Sequence, residues 1–355
     1  MPTANGSKTN GSKTNGSPTS AGPVTFLEAI KQAMFEEMER DPAVVVIGED
    51  VGVYGGAFKT SEGLLERFGW ERVIDTPISE SAIIGAACGM SYAGLRPICE
   101  MQFIDFIVCA FNQITNFVAK GHYLWNAPAP MVIRGPSGGG VHGGPFHSAN
   151  PEMYFVHTPG LKVIYPSTPY DAKGLLKAAV RDNNPVLFFE HKFLYRRIKE
   201  ELPAEDYTVP IGKAIVRREG KHLTILSYAA MMHTSLEAAA ALAKEGIEAE
   251  VIDLRTLLPL DEETILQSVK KNQQSFGRPR RHQDRRHRRR NCCHSLREGL
   301  WRSRRSGLSR HVARYTSAIL AAARRIFSAQ RAKGFHRREG AGKVLRRAAF
   351  KRVQR

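Results

Sequence analysis

The sequence has no apolar run that approaches the ~18 residues of a membrane-spanning helix, and its N-terminus has no apolar signal core. It also lacks the even cysteine spacing of a disulfide framework. Of its 5 cysteines, Cys88, Cys99 and Cys109 lie in apolar contexts typical of free thiols. We therefore expect a cytoplasmic protein without membrane contact, rather than a disulfide-rich secreted one.

Acidic residues are scarce in one part of the chain only. Residues 272–355 carry 26 Lys and Arg against 3 Asp and Glu, whereas residues 1–271 carry 26 against 31. The formal net charge of +18 therefore originates in the last quarter of the chain. A nucleic-acid interface would have to rest on that quarter alone.

The first elements of the chain show the pattern of an α/β protein. Residues 1–22 repeat the unit SKTNG without an apolar anchor, which predicts a disordered leader. In "VTFLEAIKQAMFEEMERDP", Thr25 and Glu28 fit a capping box at the start of an amphipathic helix. The apolar run "AVVVIGED" then predicts a strand buried on both faces, with Glu49 and Asp50 at its carboxyl end, where open α/β sheets bind ligands.

Apolar strands and helices alternate along the rest of the chain up to the basic quarter. The segment "LKVIYPSTPYDAKGLLKAAVRDNNPVLFFE" reads as strand, helix, strand, and a second series begins at "HLTILSYA". This alternation predicts parallel sheets with helices on both faces. We divide the chain into a first α/β domain over 23–200, a linker with the first half of a second α/β domain over 201–271, and a tail over 272–355.

Four motifs occur in a specific order: "GEDVGVYGGAFKTSEGLLERFGWERVIDTPISESAI", "EMQFIDFI", "GPSGGGVHGGPFHSANPE" and "STPYDAKGLLKAAVRDNNPV". With them, residues 23–271 resemble the beta subunit of the thiamine-diphosphate-dependent 2-oxo acid dehydrogenases. The resemblance implies a transketolase-like pyrimidine-binding domain followed by a transketolase C-terminal-like α/β domain. It also implies oxidative decarboxylation of a 2-oxo acid, pyruvate or a branched-chain acid, with acyl transfer to a lipoyl carrier.

The resemblance further implies a heterotetramer of two alpha and two beta subunits that works with a lipoyl acyltransferase. Thiamine diphosphate would lie between subunits, with its diphosphate and Mg²⁺ held by the alpha subunit and its aminopyrimidine ring by the beta subunit. The sequence agrees with this division, because it has no GDG-type motif for the metal and diphosphate. The chain alone is then expected to form half of an active site.

Glu80 in "TPISE" matches the family carboxylate that hydrogen-bonds the aminopyrimidine ring. The resemblance implies that Glu80 drives the ring to its imino tautomer, which removes the C2 proton of the thiazolium. On the residues alone, a second interpretation stays open. A Glu in the first turn of a helix is stabilised by the helix dipole whatever its function.

Further pocket residues follow from the same resemblance. Phe106 matches the aromatic residue that stacks on the aminopyrimidine, and Gln102 lies one helical turn before it. Glu49 and Ile78 are implied to line the same pocket. An ordinary core aromatic is the alternative for Phe106.

His147 in "PFHSANPE" matches the family histidine that faces the substrate, and the alternative is a solvated loop histidine. His142 lies nearby, but two histidines are too few ligands for a metal site. Asp182 and Asn184 in "RDNNP" match a loop that holds a structural monovalent cation such as K⁺ in relatives. An ordinary turn explains that loop equally well.

The basic tail has a different explanation from a nucleic-acid arm. Read one base later, codons for "RRHRRRNCCH" can spell GGIGAEIAAT, and the same shift over 314–339 allows DTPVPYSPPLEEYFLPNAQKVFTAAK. Both resemble second-domain segments of the family. We therefore predict a frameshift near Asn272, so that Cys292 and Cys293 form no zinc site.

Two alternatives to an active enzyme subunit remain on the sequence. A second domain that lacks strands would expose a sheet edge and apolar surface, so the chain would assemble poorly and could be a non-functional truncated subunit. The other alternative is nucleic-acid binding through the charge of the tail, which would be salt-dependent and without base preference.

Overall fold

The computed structural model describes residues 22–275. They form two compact units. The first consists of residues 22–215 with Leu226–His233 and Asp253–Ile265, and the second of Val216–Ile225, Thr234–Ile252 and residues 266–275. Within the described residues, no helix is long and apolar enough to cross a membrane.

The elements are numbered in chain order. The strands are β1 Val24–Thr25, β2 Val44–Gly48, β3 Val73–Asp75, β4 Arg96–Glu100, β5 Val132–Ser137, β6 Lys162–Ile164, β7 Val186–His191, β8 Lys199–Glu200, β9 Ile215–Arg218, β10 Leu223–Ser227, β11 Ala249–Asp253 and β12 Thr256–Leu258. The α-helices are α1 Phe26–Arg40, α2 Leu64–Phe68, α3 Glu80–Tyr92, α4 Gly121–Trp125, α5 Met153–Val156, α6 Pro169–Arg181, α7 Ala229–Ala243 and α8 Glu262–Ser275. Three other helical segments are a 3-10 helix over Ile104–Ala110, a π-helix over Gln113–Val118 and a 3-10 turn over Pro145–His147.

A seven-stranded sheet forms the centre of the first unit. Its order is β12-β6-β7-β5-β4-β2-β3, and all neighbours are parallel except the edge pair β12 and β6. The prediction of a mostly parallel α/β sheet is confirmed. The antiparallel edge strand was not predicted, because its three residues are too short to show a pattern.

Local sequence explains why these elements form where they do. All five residues of β2 are buried, as expected for an apolar run between two parallel neighbours. The predicted capping box of α1 is present: the Glu28 N–H donates to the Thr25 hydroxyl at 3.1 Å, and the Thr25 N–H donates to the Glu28 carboxylate at 2.7 Å. Helix α6 starts at Pro169, with Thr168 as its N-cap.

Helices cover both faces of this sheet. On one face, α1 and α6 enclose a core that includes Phe26 and Leu175. On the other face, α3 and the 3-10 helix that follows β4 enclose a core that includes Ile84 and Ile107. With both faces covered, ligands can reach the sheet only at the ends of its strands.

The second unit has a three-stranded sheet in the order β10-β11-β9. Among the described residues, the buried apolar core of this unit consists of Ile225, Ala239, Ala249 and Val251. Helix α8 ends at Ser275, so the first four residues of the predicted tail are helical. The predictions for residues 1–21 and 276–355, including the frameshift, lie outside the described residues.

Candidate active site

The parallel sheet brings most of the predicted site residues to one edge. Glu49 follows β2, Ile78 and Glu80 follow β3, Gln102 and Phe106 follow β4, and His147 follows β5. The carboxyl ends of parallel strands lie at the same edge of a sheet, where α/β proteins bind ligands. Four loops that are distant along the chain therefore meet at this edge.

Glu49 is the buried carboxylate at this edge. It is only 6% exposed, and it accepts a hydrogen bond from the backbone N–H of Ser79. Its Oε1 has no hydrogen-bond partner among the described residues. Burial, together with the nearby carboxylates of Glu80 and Asp50, raises the pKa of Glu49 above its usual range. The site thus contains a buried acceptor that a hydrogen-bond donor of a ligand could meet.

Glu80 lies at the start of α3, where the positive end of the helix dipole favours its carboxylate. It is partly exposed, and its charge acts on Glu49. Ile78, two residues before it, is 84% exposed. Ile78 thus presents an exposed apolar side chain at the edge of the sheet that carries Glu80.

Three rings meet above the end of β4. The His147 imidazole is perpendicular to the Phe103 ring at 4.4 Å between centroids and to the Phe106 ring at 5.7 Å. The Gln102 side-chain amide donates to the Asp50 carboxylate at 2.8 Å. Phe103, which sequence analysis did not select, contacts His147 more closely than the predicted Phe106 does. Its position directly before Ile104–Ala110 was the only sequence signal.

Asp182 and Asn184 lie elsewhere, because they precede β7 and so belong to the opposite edge of the sheet. The Asp182 carboxylate accepts from the Asn184 N–H at 2.8 Å and from the Lys162 ammonium. Burial acts to raise the pKa of Asp182, but these hydrogen bonds lower it overall. The Arg96 guanidinium donates to the Asp182 carbonyl at 3.1 Å.

Protein cations therefore already neutralise this loop. The Asn184 Oδ1 atom also lies 2.8 Å from the His122 Nδ1 atom. Within residues 22–275, no group of three or more His, Cys, Asp or Glu could hold a metal ion. A monovalent cation at Asp182 and Asn184 stays a prediction.

A buried charge cluster lies within the central strands and was missed on the sequence. The Arg134 guanidinium donates to both Glu190 carboxylate oxygens, at 2.5 and 2.7 Å, and to Glu100. The Tyr195 hydroxyl donates to Glu190 at 2.6 Å, and the Thr60 hydroxyl to Glu100 at 3.1 Å. The sequence did contain an indication of this cluster, because the otherwise apolar strands β4, β5 and β7 contain the charged residues Glu100, Arg134 and Glu190. The cluster supports the strand ends from which the site loops depart.

Two family models match the chain: the transketolase pyrimidine-binding domain over residues 22–197 and the transketolase C-terminal domain over residues 212–276. The 2-oxoisovalerate dehydrogenase subunit beta of Bacillus subtilis (strain 168) is 56% identical over 250 residues, 70% of this chain and 76% of that protein. The chain belongs to the family of 2-oxo acid dehydrogenase beta subunits. The pyruvate dehydrogenase beta subunit of the same organism is 48% identical over 252 residues, 70% of this chain and 77% of that protein.

A solved structure agrees with this membership. A split-gene transketolase, described as an inactive beta4 tetramer, matches this beta subunit with a TM-score of 0.58 at 27% identity, over 70% of this chain and 77% of the other. The predicted family and the predicted fold class are confirmed. The relatives are enzyme subunits, so the alternatives of nucleic-acid binding and of a non-functional subunit gain no support from them.

Proposed function

We propose that this beta subunit supplies the Glu80 half of a thiamine-diphosphate site for the oxidative decarboxylation of a 2-oxo acid. The observation that carries the proposal is the buried Glu49 carboxylate, whose Oε1 has no partner among the described residues. It lies beside Glu80 at the carboxyl edge of the sheet, the edge at which the loops that carry Phe106 and His147 also lie. An amine or a protonated ring nitrogen of a ligand would satisfy this acceptor.

The residues present fit the aminopyrimidine part of thiamine diphosphate. That ring offers hydrogen-bond donors for Glu49 and Glu80 and an apolar face for Phe106 and Ile78. When bound, the cofactor supplies the nucleophilic carbon that adds to the 2-oxo group and the electron sink for decarboxylation. Glu80 holds a proton at a ring nitrogen, Glu49 accepts a hydrogen bond from the ring, and His147 binds the substrate carboxylate or acyl oxygen.

The alpha subunit of the same enzyme completes the site in this proposal. It holds Mg²⁺ and the diphosphate. The absence of a motif for either group from the sequence of this chain agrees with that division. A lipoyl acyltransferase receives the acyl group. A K⁺ ion bound at Asp182 and Asn184 has a structural role. The cytoplasmic location likewise stays a prediction from the sequence.

A branched-chain 2-oxo acid is the substrate class that we favour over pyruvate. The relative named for 2-oxoisovalerate is 56% identical over 250 residues, whereas the pyruvate dehydrogenase relative from the same organism is 48% identical over 252 residues. Because both relatives come from one organism, the difference in identity does not reflect a difference between species.

The test is co-expression with a branched-chain alpha subunit, followed by an assay of 2-oxoisovalerate and pyruvate with an artificial electron acceptor. We expect turnover that requires thiamine diphosphate and both subunits, a higher kcat/KM for 2-oxoisovalerate, and loss of turnover in Glu80→Gln. An assembled tetramer that binds the cofactor but oxidises neither acid would contradict the proposal.

Assembly needs its own control because of the predicted frameshift. The 355-residue chain and a version with the shifted reading frame restored from codon 272 are each co-expressed with the alpha subunit. We expect the restored version to form the tetramer and the 355-residue chain to assemble poorly. A soluble, active tetramer with the 355-residue chain would refute the prediction of poor assembly without affecting the proposed activity.

A further inference from the structure

The loop that carries His147 is open along most of its length. Residues 141–146 are exposed, and Phe146 next to the histidine is 78% exposed. Glycine occupies five positions between 138 and 144, which makes the folded loop costly in conformational entropy. Contacts at its base must therefore restrain it if His147 is to keep one position.

Three hydrogen bonds close the base of this loop. The Gly138 N–H donates to the Ala149 carbonyl at 2.8 Å, and the Ala149 N–H donates to the Asp105 carboxylate at 2.8 Å. The Lys192 ammonium donates to the Gly138 carbonyl. Asp105, which follows β4, thus binds one end of the loop at Ala149. Lys192, which follows β7, binds the other end at Gly138.

Asp105 has a second link to the histidine. It lies between Phe103 and Phe106, whose rings both contact His147. One short segment therefore contacts the loop at its base through a carboxylate and near its end through two rings. Two contacts from one segment fix a loop more strongly than either contact alone. The conformational entropy that is lost when the loop is ordered has to be offset only once for both contacts.

The Asp105 carboxylate favours the charged form of Lys192. Lys192 is only 3% exposed, and its burial lowers its pKa, whereas the Asp105 carboxylate acts in the opposite direction. The second Asp105 oxygen, Oδ2, is buried without a hydrogen-bond partner among the described residues. Asp105 is thus a half-buried residue with one carboxylate oxygen bonded to the loop base and the other enclosed.

We propose that Asp105 is a positioning residue that holds the 138–149 loop, and through it His147, against Phe103 and Phe106. The inference rests on the proposed function in so far as His147 binds substrate. The holding of the loop by Asp105 is testable on the chain alone, without cofactor or alpha subunit.

The first experiment measures cleavage of the full chain by chymotrypsin after Phe146. The protease requires several residues in an extended conformation, so the rate reports local opening of the loop. We expect cleavage about tenfold faster in Asp105→Ala, the effect of one lost charge-assisted hydrogen bond. Asp105→Asn keeps the Oδ1 acceptor but loses its charge, so it should retain about half of the bond's free energy and stay within about threefold of the wild-type rate.

Asp75→Ala is the matched control. The Asp75 carboxylate accepts from the Gly52 N–H at 2.7 Å, the same kind of bond at a different loop. It should accelerate cleavage after Tyr54, which is 55% exposed, and leave cleavage after Phe146 unchanged. Equal acceleration at both sites in Asp105→Ala, an unchanged rate after Phe146, or an Asp105→Asn rate equal to that of Asp105→Ala would overturn the proposal.

Two further measurements cover folding and function. If Asp105→Ala fails to fold, hydrogen exchange on the wild-type chain replaces it. The Ala149 amide should exchange at least about tenfold more slowly than the amides of residues 141–143, and equal exchange would overturn the proposal. In the assembled tetramer, Asp105→Ala should raise the KM for the 2-oxo acid and leave the Kd of thiamine diphosphate unchanged, with Asp105→Asn restoring the KM.

Discussion

The imidazole ring of His147 stands edge-on to the ring of Phe103, with 4.4 Å between the two centroids, and so approaches Phe103 more closely than Phe106. The two phenylalanines are therefore expected to have different roles. We expect Phe103 to restrain the histidine and Phe106 to contact the cofactor.

Phe103→Leu and Phe106→Leu should separate these roles in the assembled tetramer. Loss of an aromatic contact is worth about 1 kcal/mol, so Phe106→Leu should weaken thiamine diphosphate binding roughly fivefold to tenfold. Phe103→Leu should leave that Kd unchanged and lower kcat/KM for the 2-oxo acid. Titration of the cofactor and steady-state kinetics test the pair, and each variant is the control for the other. Equal effects on the Kd would show that both rings contact the cofactor.

Arg134 should be the most sensitive charged residue for stability. Its guanidinium is fully buried between Glu100 and Glu190, and Arg134→Met would leave two buried carboxylates without their partner. Removal of one member of a buried ionic cluster costs about 3–5 kcal/mol. Urea denaturation measures this loss in the free energy of unfolding.

The control for Arg134 is an exposed ion pair. Arg67 lies 3.1 Å from Glu39 on the surface, and Arg67→Met should cost less than about 1 kcal/mol. Similar losses for the two variants would mean that water or other groups compensate the buried carboxylates.

Glu49 should make the fold less stable at neutral and alkaline pH. Its pKa in the folded chain is raised by burial and by Glu80, so the fold favours the protonated form. Stability from this group is present at low pH and is lost as the pH rises through the raised pKa. Glu49→Gln should therefore raise the Tm at pH 8, by about 2–4 °C for each kcal/mol recovered, and the gain should disappear towards pH 4.

Thermal unfolding followed by circular dichroism at both pH values tests this. Glu62→Gln changes an exposed carboxyl of the surface and is the control, with no expected gain at either pH. A Glu49→Gln variant that is less stable than the wild type at pH 8 would refute the destabilising role.

His191 should make the fold sensitive to mild acid. Burial, with a smaller contribution from the Lys192 charge, lowers the pKa of His191 from 6.5 to about 4. Because the folded state disfavours the protonated ring, stability is full above about pH 6.5 and decreases as the pH falls through that range to about pH 4. The Nδ1 atom has no partner among the described residues, so His191→Phe should flatten this decrease without losing a hydrogen bond.

The measurement is the Tm between pH 7 and pH 4 for wild type and variant. His142→Asn changes an exposed loop histidine and should follow the wild-type profile. If His191→Phe falls as steeply as wild type over this range, other groups cause the acid sensitivity.

Local sequence patterns predicted the helices and strands well, because a capping box and a strand buried on both faces each depend on residues that are neighbours in the sequence. Thr25 with Glu28 and the run before Glu49 are examples. Contacts between distant loops were not visible in the sequence. Neither the approach of Phe103 to His147 nor the Asp105 bond to Ala149 has a local pattern, since each depends on how two strand ends lie side by side.

The same limit explains the two groups of predicted ligand residues. Glu80 and Asp182 both follow from family motifs, but the direction of the chain decides which end of the sheet each occupies. Glu80 comes after its strand and Asp182 before the next one. A motif match alone does not reveal that these two sites lie at opposite edges.

The glycines of the His147 loop have a consequence for protein engineering. A Cβ atom at Gly138 would lie 2.3 Å from the His191 ring, and one at Gly140 would lie 2.7 Å from the Phe193 ring. The loop and the end of β7 have therefore adapted to each other as one unit. A chimera that exchanges residues 138–149 between relatives should therefore exchange residues 191–193 as well, because the two segments are in close contact.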